Sequence, residues 1–265
     1  MKILRRILIA LAVTLTIGFI AIYWIAPVTL SFYSSKKAVP VTRILPTDLT
    51  DTSISKAAGT KLSIGGYDFE VPWTDLDDSK TELFPKNKPE KTMARFRFRS
   101  GLDLAVFSAP PHSFYDQFTK EVKMSPEAFA AAFGSRASTS DYEFVKQVFE
   151  FSPDTIPHWT TTSAVQSRVM VLLLTKSIMP MKSAQTGIFN LRNARYEGFQ
   201  QGNPRDSKTS KDGLLLSLYS DDGDIEILIA EKDYTTLGGV TQSEINRIVQ
   251  TLHRTDLKIA VISKD

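Results

Sequence analysis

Residues 94–108 read ARFRFRSGLDLAVFS. Apolar and polar residues alternate on both sides of Ser100-Gly101, the period-2 pattern of two half-buried strands joined by a tight turn. A two-residue loop at Ser100-Gly101 would set Phe98 against Asp103 and Arg97 against Leu104, mixing apolar and charged faces. A three-residue loop, Arg99-Ser100-Gly101 with Gly101 left-handed, sets Phe98 against Leu102, Phe96 against Leu104, Ala94 against Val106 and Arg97 against Asp103. The second register keeps one face apolar throughout and is the predicted one. An antiparallel hairpin here makes the domain sheet-based.

Outward from it, YDFEVPW (67–73) alternates again, with Tyr67, Phe69 and Val71 on one face and Asp68 and Glu70 on the other. Residues 74–92 are polar and read as a loop. TGIFNL, ARYEGFQQG, GLLLSLYS and DIEILIAE, between residues 186 and 231, read as four more strands. The last two form a hairpin, and a type I′ turn at Asp222-Gly223 would bring Leu218 opposite Ile227 and Leu216 opposite Ile229. DDGDIE thus belongs to turn chemistry and not to a calcium loop.

Between these strand blocks, residues 112–178 read as helical throughout. Phe114, Phe118 and Val122 fall four apart. Ser125 caps a helix with Pro126 at its first position and Gly134 past its end. Ser140 with Glu143, and Ser163 with Gln166, have capping-box spacing. The run Val169 to Leu174 is too short for a membrane span and reads as a core helix. A final helix opens on the capping box Thr241–Glu244 and carries Ile245, Ile248, Val249 and Leu252 as a core-facing stripe. His253 and Arg254 follow at its C-terminal end, where cations suit the helix dipole. Hairpins without regular βαβ alternation predict an α+β fold: a mostly antiparallel sheet with packed helices, preceded by one N-terminal transmembrane helix.

That helix is read from MKILRRILIALAVTLTIGFIAIYWIAPVTL, residues 1–30. Ile7 to Ala26 is free of charge and as a helix would be about 30 Å long, the depth of a bilayer core. A cleaved signal has a shorter apolar region and small residues at its end. Here the end holds Tyr23, Trp24 and Pro27, so a retained anchor is predicted, with the aromatics at the interface. Lys2, Arg5 and Arg6 abut the span, which places the N-terminus in the cytoplasm and the C-terminal domain outside it, in a single-pass inner-membrane protein. Residues 31–60 read as a tether and 61–265 as a single domain.

Of 32 Lys and Arg set against 29 Asp and Glu, three stand at Lys2, Arg5 and Arg6, so the net +3 is accounted for before the span begins. The domain itself has no basic excess, and nucleic acid is not an expected partner. Cysteine is absent, which excludes disulfides, thiolate chemistry and a cysteine-linked lipid anchor. The three histidines, His112, His158 and His253, form no metal-binding spacing. Asp75, Asp77 and Asp78 lack the Gly and closing Glu of a calcium loop. GxSxG, GxxxxGK[ST] and HExxH do not occur, so no catalytic residue, metal or cofactor is assigned.

The candidates for ligand binding are few. Arg95, Arg97 and Arg99 share one strand face, either an anion-binding stripe or a surface neutralised by Asp103 and, from a neighbouring strand, Asp68 and Glu70. His158 beside Trp159 lies in a connection that either lines a pocket or packs a corner. Arg205, Lys208 and Lys211 make the long polar insertion after Phe199 locally basic, as a functional loop or a disordered one.

GYDFEVPW (66–73), the hairpins, EGFQQGNP (197–204) and QSEINRIVQTL (242–252) together resemble the extracytoplasmic domains of uncharacterised membrane-anchored bacterial proteins, with a layout similar to PsbP-like α+β domains. The resemblance implies a binding or assembly module with a protein or cell-envelope partner. A membrane-tethered hydrolase or ligand-binding enzyme, and a sensor of anionic lipid or polyanion, are the alternatives.

Overall fold

A computed structural model describes residues 43–84, 92–151, 187–205, 213–231 and 239–255. The strands before the helices are β1 (Thr47–Asp48), β2 (Thr60–Ile64), β3 (Tyr67–Val71), β4 (Glu82–Phe84), β5 (Thr92–Arg97) and β6 (Leu102–Ala109). Three helices follow: α1 (Ser113–Val122), α2 (Pro126–Phe133) and α3 (Asp141–Glu150). Then come β7 (Ile188–Arg192), β8 (Glu197–Gln201), β9 (Leu214–Tyr219), β10 (Asp224–Glu231), α4 (Gln242–Thr251) and β11 (His253–Arg254). The large sheet has the order β1-β7-β8-β9-β10-β6-β5-β4 and a small one the order β11-β3-β2. All pairs are antiparallel except β1 with β7, so the fold is α+β.

The opening hairpin has the register its alternation demands. Phe96 opposes Leu104, Ala94 opposes Val106 and Arg97 opposes Asp103. The Phe98 N–H donates to the Leu102 carbonyl at 2.8 Å and Gly101 sits at φ +99°, a conformation that favours glycine.

The β9–β10 hairpin differs from expectation by two residues: Ile227 opposes Leu216 and Ile225 opposes Leu218. Ser220 to Gly223 form a longer loop, in which Gly223 N–H donates to the Ser220 carbonyl at 3.2 Å and Ser220 Oγ donates to the Gly223 carbonyl at 3.0 Å. A type I′ turn would have set Asp221 against Asp224, two like charges face to face. A slip of two preserves which residues face inward, so the apolar face survives it.

One face of the large sheet forms the main core with the small sheet and α4. Leu104, Val106, Leu216, Ile227 and Ile229 from the sheet meet Phe69 and Val71 of β3 and Ile245 and Ile248 of α4, all nearly solvent-free. The capping box at Thr241 is formed in full, with its side chain and that of Glu244 satisfying each other's backbone N–H. The opposite, outer face carries α1 to α3. Val145 and Phe149 of α3 cover Ile188, Phe199 and Tyr219, while Phe118, Phe129, Phe133 and Phe144 pack together as an aromatic cluster within the helices.

Several local readings are revised by tertiary contacts. The polar stretch after Trp73 contains a 3-10 turn at Asp78–Lys80 and the edge strand β4, because β5 offers an open side for pairing. His253 and Arg254 do not end the helix but pair with Asp68 and Tyr67 of β3. Residues 44–55, within the stretch read as a tether, are held to the domain: Ile44 N–H donates to the Phe149 carbonyl and Ser55 N–H to that of Ser243. Asn246 Nδ2 donates to the carbonyls of Asp51 and Ser53, completing a buried chain through Gln242 and Gln200. Residues 7–26, the 163–176 helix, His158, Trp159, Lys208 and Lys211 lie outside the described residues. No helix among the described residues is long and apolar enough to cross a membrane.

Candidate functional site

Helix α1 starts without a cap of its own. His112 precedes it in the left-handed conformation, φ 60° and ψ 18°, and its side chain makes no capping hydrogen bond. The first N–H groups of a helix need acceptors when buried. Here the donors are Phe114 N–H and Tyr115 N–H, and both bond to the carboxyl of Asp141, at 2.9 and 3.1 Å. Asp141 is the first residue of α3, whose own start is capped by Ser140 Oγ accepting from Glu143 N–H at 3.3 Å. A carboxyl near one helix start thus completes another.

Asp141 is 2% exposed, and Asp224, the first residue of β10, is 6% exposed and hydrogen-bonded to it. Ser113 Oγ donates to Asp224 at a long 3.4 Å. Burial and the adjacent Asp141 push the Asp224 carboxyl up to about 9, so it holds a proton at neutral pH and the pair carries at most one negative charge. Two residues on, Glu226 points from the same outer face. Its side chain is exposed, yet desolvation by the protein around it raises its pKa, and Ser217 Oγ donates to it at 3.5 Å. The Tyr219 hydroxyl, beside these acids, is pushed well up by burial.

Two cavities meet at this point. The larger, about 320 Å³, lies between α1 and the outer face of the sheet, with Met93, Phe107, Phe114 and Tyr219 as its apolar wall and Asp224 and Glu226 as acids. The smaller, about 230 Å³ and polar, is bordered by His112, Arg195, Glu197 and Asp221. Asp224 and Tyr219 line both. A protonated carboxyl next to a second carboxyl can serve acid–base chemistry. In this pair, however, the Asp141 oxygens are engaged by backbone N–H groups, and the pair fastens α1 and α3 to β10. Among the described residues no group of His, Asp and Glu is arranged to hold a metal ion.

The candidates singled out in the sequence lie elsewhere. Arg95 and Arg97 share Asp103, and Arg97 also reaches Glu82 of β4 at 3.6 Å. The expected partners Asp68 and Glu70 belong to the other sheet, where Glu70 accepts from Arg247 at 2.9 Å and is held below the usual range by that bond. Arg99 follows in the turn, where its N–H donates to the Asp75 carbonyl. Arg205 bonds to Asp51, just past β1 at the far edge of the sheet from β5, so it does not join the arginine strand. Asp77 pairs with Lys80 at 2.7 Å, and Asp75 accepts from Ser100 N–H, which accounts for the acidic run as local structure.

Asp141, Asp224 and Glu226 were not legible as a site. One signal was present: two acids alternate with Ile225 and Ile227 at the start of a strand that runs on through Leu228, Ile229 and Ala230. Compared with family models, curated proteins and solved structures, the chain has no match.

Proposed function

We propose that this chain is a single-span membrane protein, anchored through residues 7–26, with a non-catalytic binding module outside the cytoplasm and a small-ligand site in the 320 Å³ cavity beside α1. The likeness to PsbP-like binding and assembly domains belongs to this proposal. The observation that carries it is the convergence of apolar walls with Asp224 and Glu226 in one concave space, the usual make-up of a ligand pocket. The ion pairing of Arg95 and Arg97 weighs against a polyanion sensor on that strand. A photoreactive benzophenone residue in place of Phe107, at the cavity rim, tests the reading in intact cells expressing the full chain. A repeatable small-molecule adduct on the membrane-extracted protein is expected, and none from the same group at exposed Ser135. Unmodified protein, or equal adducts at both positions, would overturn it.

A further inference from the structure

The larger cavity has an uneven chemistry. Among the described residues no Lys, Arg or His lines it, whereas Asp224 and Glu226 both do. Its remaining wall is largely aromatic and aliphatic. An anionic ligand would meet the Glu226 carboxyl with no countercharge among the described residues lining the cavity; a neutral one would leave that acid without a partner of opposite charge.

The apolar wall also continues outward. Cross-strand pairing sets Phe84 beside Met93, Met93 beside Phe107 and Phe107 beside Glu226, in one row on the outer face. Directly opposed residues share a face and touch. Phe107 is 39% and Phe84 45% exposed, unusual for side chains of this size. The row therefore leads from an open hydrocarbon strip to the Glu226 carboxyl at its inner end.

We propose, resting on the reading of this cavity as the ligand site, that its ligand is an organic ammonium ion with an apolar body. The charged head would sit at Glu226, beside the protonated Asp224, and the hydrocarbon part against Phe107, Met93 and Phe114. Aromatic faces attract cations as well as hydrocarbon, so both halves of such a molecule find a partner. Glu226 supplies the charge complementarity that selects it over neutral or anionic relatives.

Three probes that differ only in the head group separate the possibilities: 2-phenylethylammonium, 2-phenylethanol and phenylacetate. Each is titrated calorimetrically into the full chain in phosphatidylcholine nanodiscs, with empty nanodiscs as the blank. The ammonium is expected to bind about tenfold more tightly than the alcohol, and phenylacetate most weakly. Glu226→Gln, at an exposed position where folding is not at stake, should weaken the ammonium about tenfold and leave the alcohol unchanged. If the alcohol or phenylacetate binds as well as the ammonium, the cation assignment fails while the cavity remains a ligand site. If none of the three binds, both the assignment and the site fail.

Discussion

Replacing Asp224 with Asn should stabilise this protein, and increasingly so as the pH rises. In the folded chain Asp224 is pushed up to about 9 from an ordinary 3.8, first by burial and then by Asp141. An acid whose folded pKa lies above its unfolded one is destabilising: between the two values the folded state must take up a proton that the unfolded chain releases. The penalty is absent below the unfolded pKa and grows by about 1.4 kcal/mol per pH unit until the folded pKa is reached. It amounts to about 1–2 kcal/mol at pH 5 and about 4 kcal/mol at pH 7. Asn is a neutral isostere whose NH₂ can donate to Asp141 as the carboxyl does, so it escapes the penalty. Allowing for an imperfect amide fit, a gain of about 2–4 kcal/mol is expected at pH 7. The assay is urea unfolding of the reconstituted full chain at pH 5 and pH 8. The same change at the other carboxyl acts in the opposite direction. Asp141→Asn would turn an NH₂ toward Phe114 N–H or Tyr115 N–H, donor against donor, for a loss of about 1–3 kcal/mol. Asp224→Asn that lowers stability at pH 7, or whose gain does not grow between pH 5 and pH 8, would refute the reasoning.

Three further outcomes are expected. Gly223→Ala would place a Cβ 2.2 Å from the Tyr67 hydroxyl and 2.9 Å from the Ala109 carbonyl, at φ +146°; since Tyr67 is buried and cannot yield, a loss of about 2–4 kcal/mol should show as a lower urea midpoint. Gln242→Ala removes the partner of buried Gln200 and the neighbour of Asn246; about 2–3 kcal/mol should be lost, and proteolysis near residues 51–55 should accelerate if that chain of amides holds the segment down. Because the chain has no cysteine, Ser100→Cys in the exposed hairpin turn provides a single thiol; labelling by a membrane-impermeant maleimide in intact cells is expected, and protection until the membrane is broken would reverse the proposed topology.

Local pattern went far with the sheet. In residues 94–108 alternation plus one glycine sufficed for the register, since a one-residue slip would have sent Asp103 into the core. The β9–β10 pairing was not recoverable in the same way, because a slip of two keeps every leucine and isoleucine inward and the choice falls to the turn. Edge strand β4 was invisible, for a three-residue strand has too few positions to alternate and exists only because β5 has a free side. The capping box at Thr241 was legible, since both halves lie three residues apart. The cap of α1 was not, since its acceptor comes from α3.

The candidate site divides along the same line. Arginines on one strand drew notice because they are consecutive in a pattern, yet Asp103 beside them and Glu82 across the strand are in contact with them. Asp141 passed as part of a helix start, and Asp224 and Glu226 as part of the DDGDIE turn, each locally adequate. The sequence by itself determined the α+β class, the longer strands of the two hairpins and their buried faces, because those follow from the period of apolar residues along a short stretch. Only the tertiary structure decided which acids lie against one another and which aromatics enclose them. That depends on α1 and α3 lying across β10, and the burial which raises Asp224 exists only once those distant segments meet.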